Sequence, residues 1–193
     1  MNENCPADSF PPPPPHADSH SAKNQPAKNQ SAPVKQAYRV LVANEQASLA
    51  IDEARLIAAA RTILAESEYP SATVSIAVVD DPTIHALNVQ YLKHDYPTDV
   101  LSFVLEESPE CVEGELVVST DTAIREAPEA GWTASDELLL YVIHGTLHLV
   151  GYDDHEPADQ VEMYAAEAHY LQRMGLALPS DASRWPATRE ESE

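Results

Sequence analysis

The sequence predicts a single domain of layered α+β or α/β type, with a sheet of about four strands packed against helices. Three observations lead there. Short apolar runs with strand-like period alternate along the chain with longer segments of helical apolar spacing. No internal repeat and no Gly-rich phosphate loop interrupts that alternation. The length, 193 residues, suits one ordinary domain plus a tail.

The tail comes first. Residues 1–36 contain the run Pro11 to Pro15, many Ser, Asn and Gln, and almost no large apolar group. Such a segment buries too little surface to offset the entropy lost on ordering, so disorder is expected. No basic region followed by an apolar core lies near Met1, and no apolar run is long enough to span a bilayer. A cytoplasmic protein with no membrane partner is the expectation. Cys5 falls in the tail and Cys111 in an expected loop, which gives neither a CxxC metal motif nor a disulfide framework.

Folded structure is expected from Tyr38 to Ala43, where Tyr38, Val40 and Val42 alternate as in a strand. Asp52 can cap a helix running to about Glu66, with Ala54, Ile57, Ala58, Ile63 and Leu64 on one face and Pro70 beyond its end. Thr73 to Val79, β-branched and nearly all apolar, reads as an inner strand. Asp80 or Asp81 before Pro82 opens a short helix to about Lys93, because Pro suits the first turn and a carboxylate accepts its free amides.

Asp95 to Thr98 forms a break, and Asp99 to Leu105 a strand. Ser108 to Gly114 reads as an acidic loop and Glu115 to Ser119 as a further strand. Asp121 to about Ala127 is a helix closed by Pro128 and Gly131. A longer helix follows, capped by Thr133 or Ser135, with Asp136 and Glu137 suited to its positive end, and it runs to Val150. The last helix spans Pro157 to Gly175, with Val161, Tyr164, Ala165, Ala168 and Leu171 as its expected buried face. Residues 177–193 read as a frayed tail.

The stretch that carries chemistry is His144 to His155, His-Gly-Thr-Leu-His-Leu-Val-Gly-Tyr-Asp-Asp-His. His144 and His148 lie four apart in an apolar helical run, so both imidazoles leave one face about 5.4 Å apart along the axis. Gly151 ends the helix where a left-handed cap is expected, and the chain returns through Tyr152-Asp153-Asp154 to His155. Three His ligands with one open position is the layout of a catalytic zinc, whereas structural zinc is normally closed by four protein ligands. The plain alternative is a set of hydrogen-bonded core or surface imidazoles. Against it stand three histidines within twelve residues, split by a helix stop, in a chain with eight in all.

This run resembles the signature of the bacterial YbeY family, rRNA maturation factors described as metal-dependent endoribonucleases, whose pattern is His-Gly-x-Leu-His-Leu-x-Gly-x-Asp-His. Other blocks agree in order: Leu87-Asn88, Tyr91, Pro97-Thr98-Asp99-Val100-Leu101-Ser102-Phe103, Gly114-Glu115-Leu116-Val117-Val118-Ser119, and a closing helix from Met163 to Gly175. The similarity covers about residues 38 to 176. It implies an α+β domain over 37–176 with zinc in a cleft between the sheet and the His-bearing helix. One Zn2+ per chain would sit on His144, His148 and His155, with Thr98 and Asp99 beside it and His144 at the centre of catalysis. The implied activity is a zinc-dependent, single-strand-specific endoribonuclease in rRNA processing, at the 3′ end of 16S rRNA, and in ribosome assembly. Ribosomal RNA and the small ribosomal subunit are the implied partners.

Two departures from the family pattern bear on activity. The commonest form has one Asp before the last His, whereas Asp153 and Asp154 lengthen this loop, and Asp154 stands at the familiar spacing with a carboxylate that can also bind zinc. Many members carry an Arg implicated in cleavage after Asn-x-x-Tyr, where this chain has Leu92, and an aliphatic group cannot replace a guanidinium.

Charge and chemistry narrow the reading further. Net charge is −21, and the tail adds nothing to it, since Lys23, Lys28 and Lys35 balance Glu3, Asp8 and Asp18. So acidic a domain repels phosphate at long range, which argues against general nucleic-acid binding, and no DNA partner is expected. RNA contact needs local positive charge, for which Lys93, Arg125, Arg39 and the metal are the candidates. Gly145 stands where peptidase zincins of the His-Glu-x-x-His type carry their general base, which disfavours peptide hydrolysis. A different class of reading is a ribosome-associated metal-binding assembly factor with weak or lost nuclease activity.

Overall fold

The structure, a computed structural model, describes residues 37–176. The tails expected at 1–36 and 177–193 lie outside the described residues. The elements follow as β1 (Ala37–Asn44), α1 (Glu53–Glu66), β2 (Ser71–Val79), α2 (Asp81–Leu92), β3 (Val100–Ser108), β4 (Cys111–Ser119), α3 (Thr120–Ala130), α4 (Ala134–Leu149) and α5 (Pro157–Arg173). The four strands form one sheet in the order β1-β2-β4-β3. β1 pairs parallel with β2 and β2 parallel with β4, while β3 returns antiparallel to β4. That hairpin at one edge makes the sheet mixed and the fold α+β.

Strand alternation divides the sheet into two unequal faces. Val74, Ile76 and Val78 of β2 and Val112, Leu116 and Val118 of β4 enter the main core with Leu56, Ala60 and Leu64 of α1. α4 completes that core with Leu138, Leu139, Val142, Ile143 and Leu147, none more than 1 % exposed. The opposite alternation sends Val79, Leu101 and Val117 to a small cluster under Ile84 and Leu87 of α2. α4 is thus the central helix, touching α1, α3 and α5 as well as β3 and β4.

Two glycines set how closely α4 meets the sheet. A Cβ on Gly145 would stand 2.9 Å from Leu116 Cδ2 and 3.0 Å from both Ser102 Oγ and Val100 Cγ2, and one on Gly114 would stand 2.7 Å from Leu149 Cδ2. Both contacts are too close for any side chain without displacement. The N-terminus of α4 is fixed by a capping box, in which Thr133 Oγ1 accepts from the Asp136 amide and the Asp136 carboxylate accepts from the Thr133 amide. Asp136 also pairs with Arg55 of α1 at 2.8 Å.

Asp52 caps α1 and Gly151 is left-handed, as expected; of the alternatives, Asp80 caps α2 and Thr133 caps α4; and Gly131, which closes α3, is left-handed as well. Three expectations are corrected. The acidic loop expected at Ser108 to Gly114 is mostly strand: β3 and β4 run on to a two-residue turn at Pro109-Glu110, and Cys111 opens β4. The distal half of that hairpin carries Glu106, Glu107 and Glu113 and is largely exposed, so no apolar alternation marks it. α3 continues through Pro128 to Ala130 and stops at Gly131. Proline removes only its own amide bond, and Ile124, four residues back, lies on the exposed side where its carbonyl can be hydrated.

The third correction matters for function. The buried face of α5 is Met163, Glu167, Tyr170 and Leu171, with Tyr164 and Ala168 partly buried, whereas Val161 and Ala165 are exposed. An acidic side chain sits inside that stripe, and its partner explains why the helix is turned this way.

Candidate metal centre and cleft

α4 presents His144 and His148 on one face, as four-residue spacing requires, and their Nε2 atoms lie 2.9 Å apart. Each ring is held from behind. His144 Nδ1 is 2.7 Å from Glu167 Oε1 of α5, and His148 Nδ1 is 3.0 Å from the Tyr152 carbonyl oxygen. A carbonyl oxygen only accepts, so His148 Nδ1 bears a proton, and an ionised Glu167 requires the same of His144. Both Nε2 lone pairs then face one another, an arrangement that needs a cation between them, either a proton or a metal ion.

The groups respond as this geometry demands. Burial alone would lower the pKa of His144, but the hydrogen bond and charge of Glu167, with Asp99 and Asp154 behind it, carry it upward. Burial lowers that of His148, and the charge of His144 adds to the effect.

The loop after Gly151 brings in Asp154, whose Oδ2 is 3.7 Å from His144 Nε2 and whose Oδ1 is 3.8 Å from His148 Nε2. Donor atoms of these three residues all lie within 4.8 Å of one another, a spacing that can hold a metal ion. At a tetrahedral zinc, ligand atoms about 2.0–2.2 Å from the ion are about 3.3–3.6 Å apart; the imidazole nitrogens at 2.9 Å stand closer than that and the carboxylate oxygens at 3.7 and 3.8 Å slightly farther, so the trio can close on an ion with shifts of about half an ångström or less. His155, the expected third imidazole, is not gathered with the other two. Its Nδ1 is 2.5 Å from Asp153 Oδ1, its side chain is 81 % exposed, and it groups with Asp153 and Asp154 instead. The extra residue in Tyr152-Asp153-Asp154-His155 puts Asp154, one position earlier, where the chain first re-enters the site.

His144 and Asp154 open into a cleft of about 520 Å³ that is also lined by Thr98, Asp99, Arg125 and Tyr141. The Asn88 side-chain amide donates to the Tyr96 carbonyl at 2.8 Å and the Ser119 amide to the Asp99 carbonyl at 2.9 Å, so the segment bearing Thr98 and Asp99 is pinned at both ends. Thr98 Oγ1 donates to Asp99 Oδ1 at 2.8 Å. Glu137 and Glu167 line the same cleft, each buried.

Sequence reading missed these two. The sequence places Glu137 only as an acid suited to the positive end of α4, yet it lies one heptad before His144 on the same face, with Tyr141 between them, and is buried. Glu167 falls at the 0, 4, 7, 8 spacing of Met163, Tyr170 and Leu171, so an acid on an apolar stripe was the signal available. Glu167→Gln is expected to loosen metal binding roughly 10- to 100-fold, as removal of an outer carboxylate behind a ligand His generally does. Competition against a zinc chelator measures this, and unchanged affinity would count against the role of Glu167.

Comparison with known proteins adds the family. The family described as Endoribonuclease YbeY matches residues 41–175. The chain belongs to the YbeY endoribonuclease family. The Endoribonuclease YbeY of Rhodopirellula baltica is 46 % identical over 130 residues, 62 % of this chain and 67 % of that one. That of Salinibacter ruber is 43 % identical over 118 residues, 57 % of this chain and 73 % of that one. A Thermotoga maritima protein known from its solution structure is 31 % identical, covering 71 % of this chain and 88 % of that one with a TM-score of 0.48. Family membership makes this YbeY-family protein an endoribonuclease, a hydrolase of RNA phosphodiester bonds. No helix among the described residues is long and apolar enough to cross a membrane.

Proposed function

We propose that this YbeY-family protein is a zinc-dependent endoribonuclease of single-stranded RNA that acts in rRNA processing, at the 3′ end of 16S rRNA, and in assembly of the small ribosomal subunit. The observation that carries the metal requirement is the facing pair of imidazole nitrogens, 2.9 Å apart and each anchored behind its ring. Charge supports the same reading. Asp99, Glu126, Glu137, Asp154 and Glu167 line the cleft against the single Arg125, so a phosphodiester would be repelled unless a further cation stood there.

The ligands in this reading are His144, His148 and Asp154, one ion per chain. Two imidazoles and a carboxylate are all accepted zinc donors, and three protein ligands leave a coordination position for solvent or substrate. When bound there, zinc supplies a positive charge for a nonbridging phosphate oxygen and lowers the pKa of a water towards about 7. The protein does the rest. Glu167 holds the His144 ring and its tautomer, and Thr98 and Asp99, fixed at the mouth of β3, contact the RNA strand. An unpaired strand suits such a cleft, because its splayed bases are what proteins read most readily in RNA.

The assignment of Asp154 over His155 has a direct test. Asp154→Ala is expected to cost well over 10-fold in zinc affinity, and His155→Ala little, by competition with a chelator. The opposite order would return the third position to His155. Asp99→Asn is expected to lower cleavage while leaving zinc content at the wild-type level. Zinc lost along with activity in that variant would move Asp99 from substrate contact to metal support.

A further inference from the structure

An endoribonuclease must hold an anionic backbone, and five carboxylates line this cleft. Among the described residues, Arg125 of α3 is the one Lys or Arg side chain that lines it. Leu92 is exposed on α2 and Lys93, which follows that helix, bonds to the Gln90 carbonyl; neither lines the cleft.

Arg125 is also held in place. Its Nη1 donates to Asp81 Oδ2 at 2.9 Å, its Nη2 to Thr122 Oγ1 at 2.8 Å and its Nε to Glu126 Oε1 at 3.0 Å. Asp81 is itself fixed, accepting from Ser119 Oγ at 2.5 Å and Thr122 Oγ1 at 2.7 Å. This network ties the first turn of α2 to the first turns of α3, so the guanidinium is oriented before any ligand arrives. Three of its five N–H donors are engaged and two remain, one on each terminal nitrogen, on a side chain still 51 % exposed. A planar guanidinium with its torsions already set loses little entropy on binding phosphate.

We propose that Arg125 is the phosphate-binding residue of the cleft: its two remaining N–H groups receive nonbridging oxygens of the RNA backbone, and Asp81 acts as its positioning residue. This rests on the endoribonuclease reading, and it adds a protein-borne cation to the one expected at His144. It also explains how so acidic a chain engages RNA, through one oriented contact and not through a basic surface.

The test compares wild type, Arg125→Ala, Arg125→Lys and the control Arg61→Ala, a surface change on α1 away from the cleft, all as full-length zinc-loaded protein. Two readouts are taken: cleavage of a short unstructured RNA, and equilibrium binding across a range of salt of the same strand carrying 2′-O-methyl groups, with its integrity checked by gel after each measurement. Arg125→Ala is expected to lower kcat/KM roughly 100-fold. Its salt slope should be shallower by about 0.7, one phosphate contact on a single strand. Arg125→Lys should keep the slope but recover only part of the rate, because an ammonium cannot reproduce the planar fork. A merely structural role would leave the slope unmoved.

Rate within twofold of wild type together with an unchanged slope in Arg125→Ala overturns the proposal. If Arg125→Ala melts far below wild type, Arg125→Lys decides, and a Lys variant equal to wild type in rate overturns it. If wild type cleaves nothing, the nuclease reading fails on its own, while the salt slope of Arg125→Ala still decides whether this residue contacts phosphate.

Discussion

With His144 replaced by alanine, the purified protein is expected to lose bound zinc and RNA cleavage together. The loss in affinity should exceed the roughly 10- to 100-fold typical of an outer partner, because His144 is itself a proposed ligand and two remaining donors make a poor chelate. Stability should fall as well. Glu167, its side chain only 5 % exposed, would lose its hydrogen bond to the ring, and a hydrogen bond to a charged group contributes about 1.5–3 kcal/mol. Elemental analysis, a melting curve and cleavage of an unstructured RNA check the three effects on one preparation. Wild-type zinc affinity in His144→Ala would remove this residue from the metal site.

Gly145→Glu is expected to be the most damaging single change at the site, although it restores the His-Glu-x-x-His pattern of peptidases. No space exists for it. The first carbon alone would stand within 3.0 Å of Leu116, Ser102 and Val100 side-chain atoms, and a carboxylate beyond it would enter the contact between α4 and the sheet. Overpacking costs about 1–3 kcal/mol and an unpaired buried charge several more, a sum comparable with the roughly 5–15 kcal/mol that holds a domain together. The variant should be recovered unfolded or with a greatly lowered melting temperature, and with no peptidase activity. A folded Gly145→Glu protein with unchanged stability would mean that α4 lies farther from β3 and β4 than described. Packing thus accounts for the absence of a base at this position, since any side chain on residue 145 would meet Leu116, Ser102 and Val100.

Much of the fold was legible because its elements announce themselves locally. β2 is apolar enough to read as an inner strand, α1 and α4 begin at capping residues, and Gly131 and Gly151 stand where left-handed caps close helices. The distal β3-β4 hairpin was not legible, because Val104 to Glu107 of β3 are exposed and the buried positions facing them in β4, Val112 and Gly114, offer one apolar side chain between them. The metal pair was legible for the opposite reason, since helical spacing alone brings His144 and His148 together. The third donor was not. Asp154 and His155 differ by one step in a loop, and which of them turns inward depends on the path set by Gly151 and on the hydrogen bond that ties His155 to Asp153. Glu167 shows in the sequence as an acid on an apolar stripe and Arg125 as one of few cations, but that both line the cleft beside His144 follows from how α5 and α3 pack against α4, which no spacing within one segment reveals.

The account rests on one claim, that RNA cleavage by this protein is carried by a metal ion held at His144, His148 and Asp154. The most direct measurement strips the full-length protein with a chelator, returns zinc in steps, and follows bound metal and cleavage of an unstructured single-stranded RNA in the same samples. Cleavage should be absent from the stripped protein, return in proportion to zinc bound, and level off at one ion per chain. Cleavage that persists at full rate in protein shown to be free of metal, or a stripped chain that takes up no zinc, would contradict it.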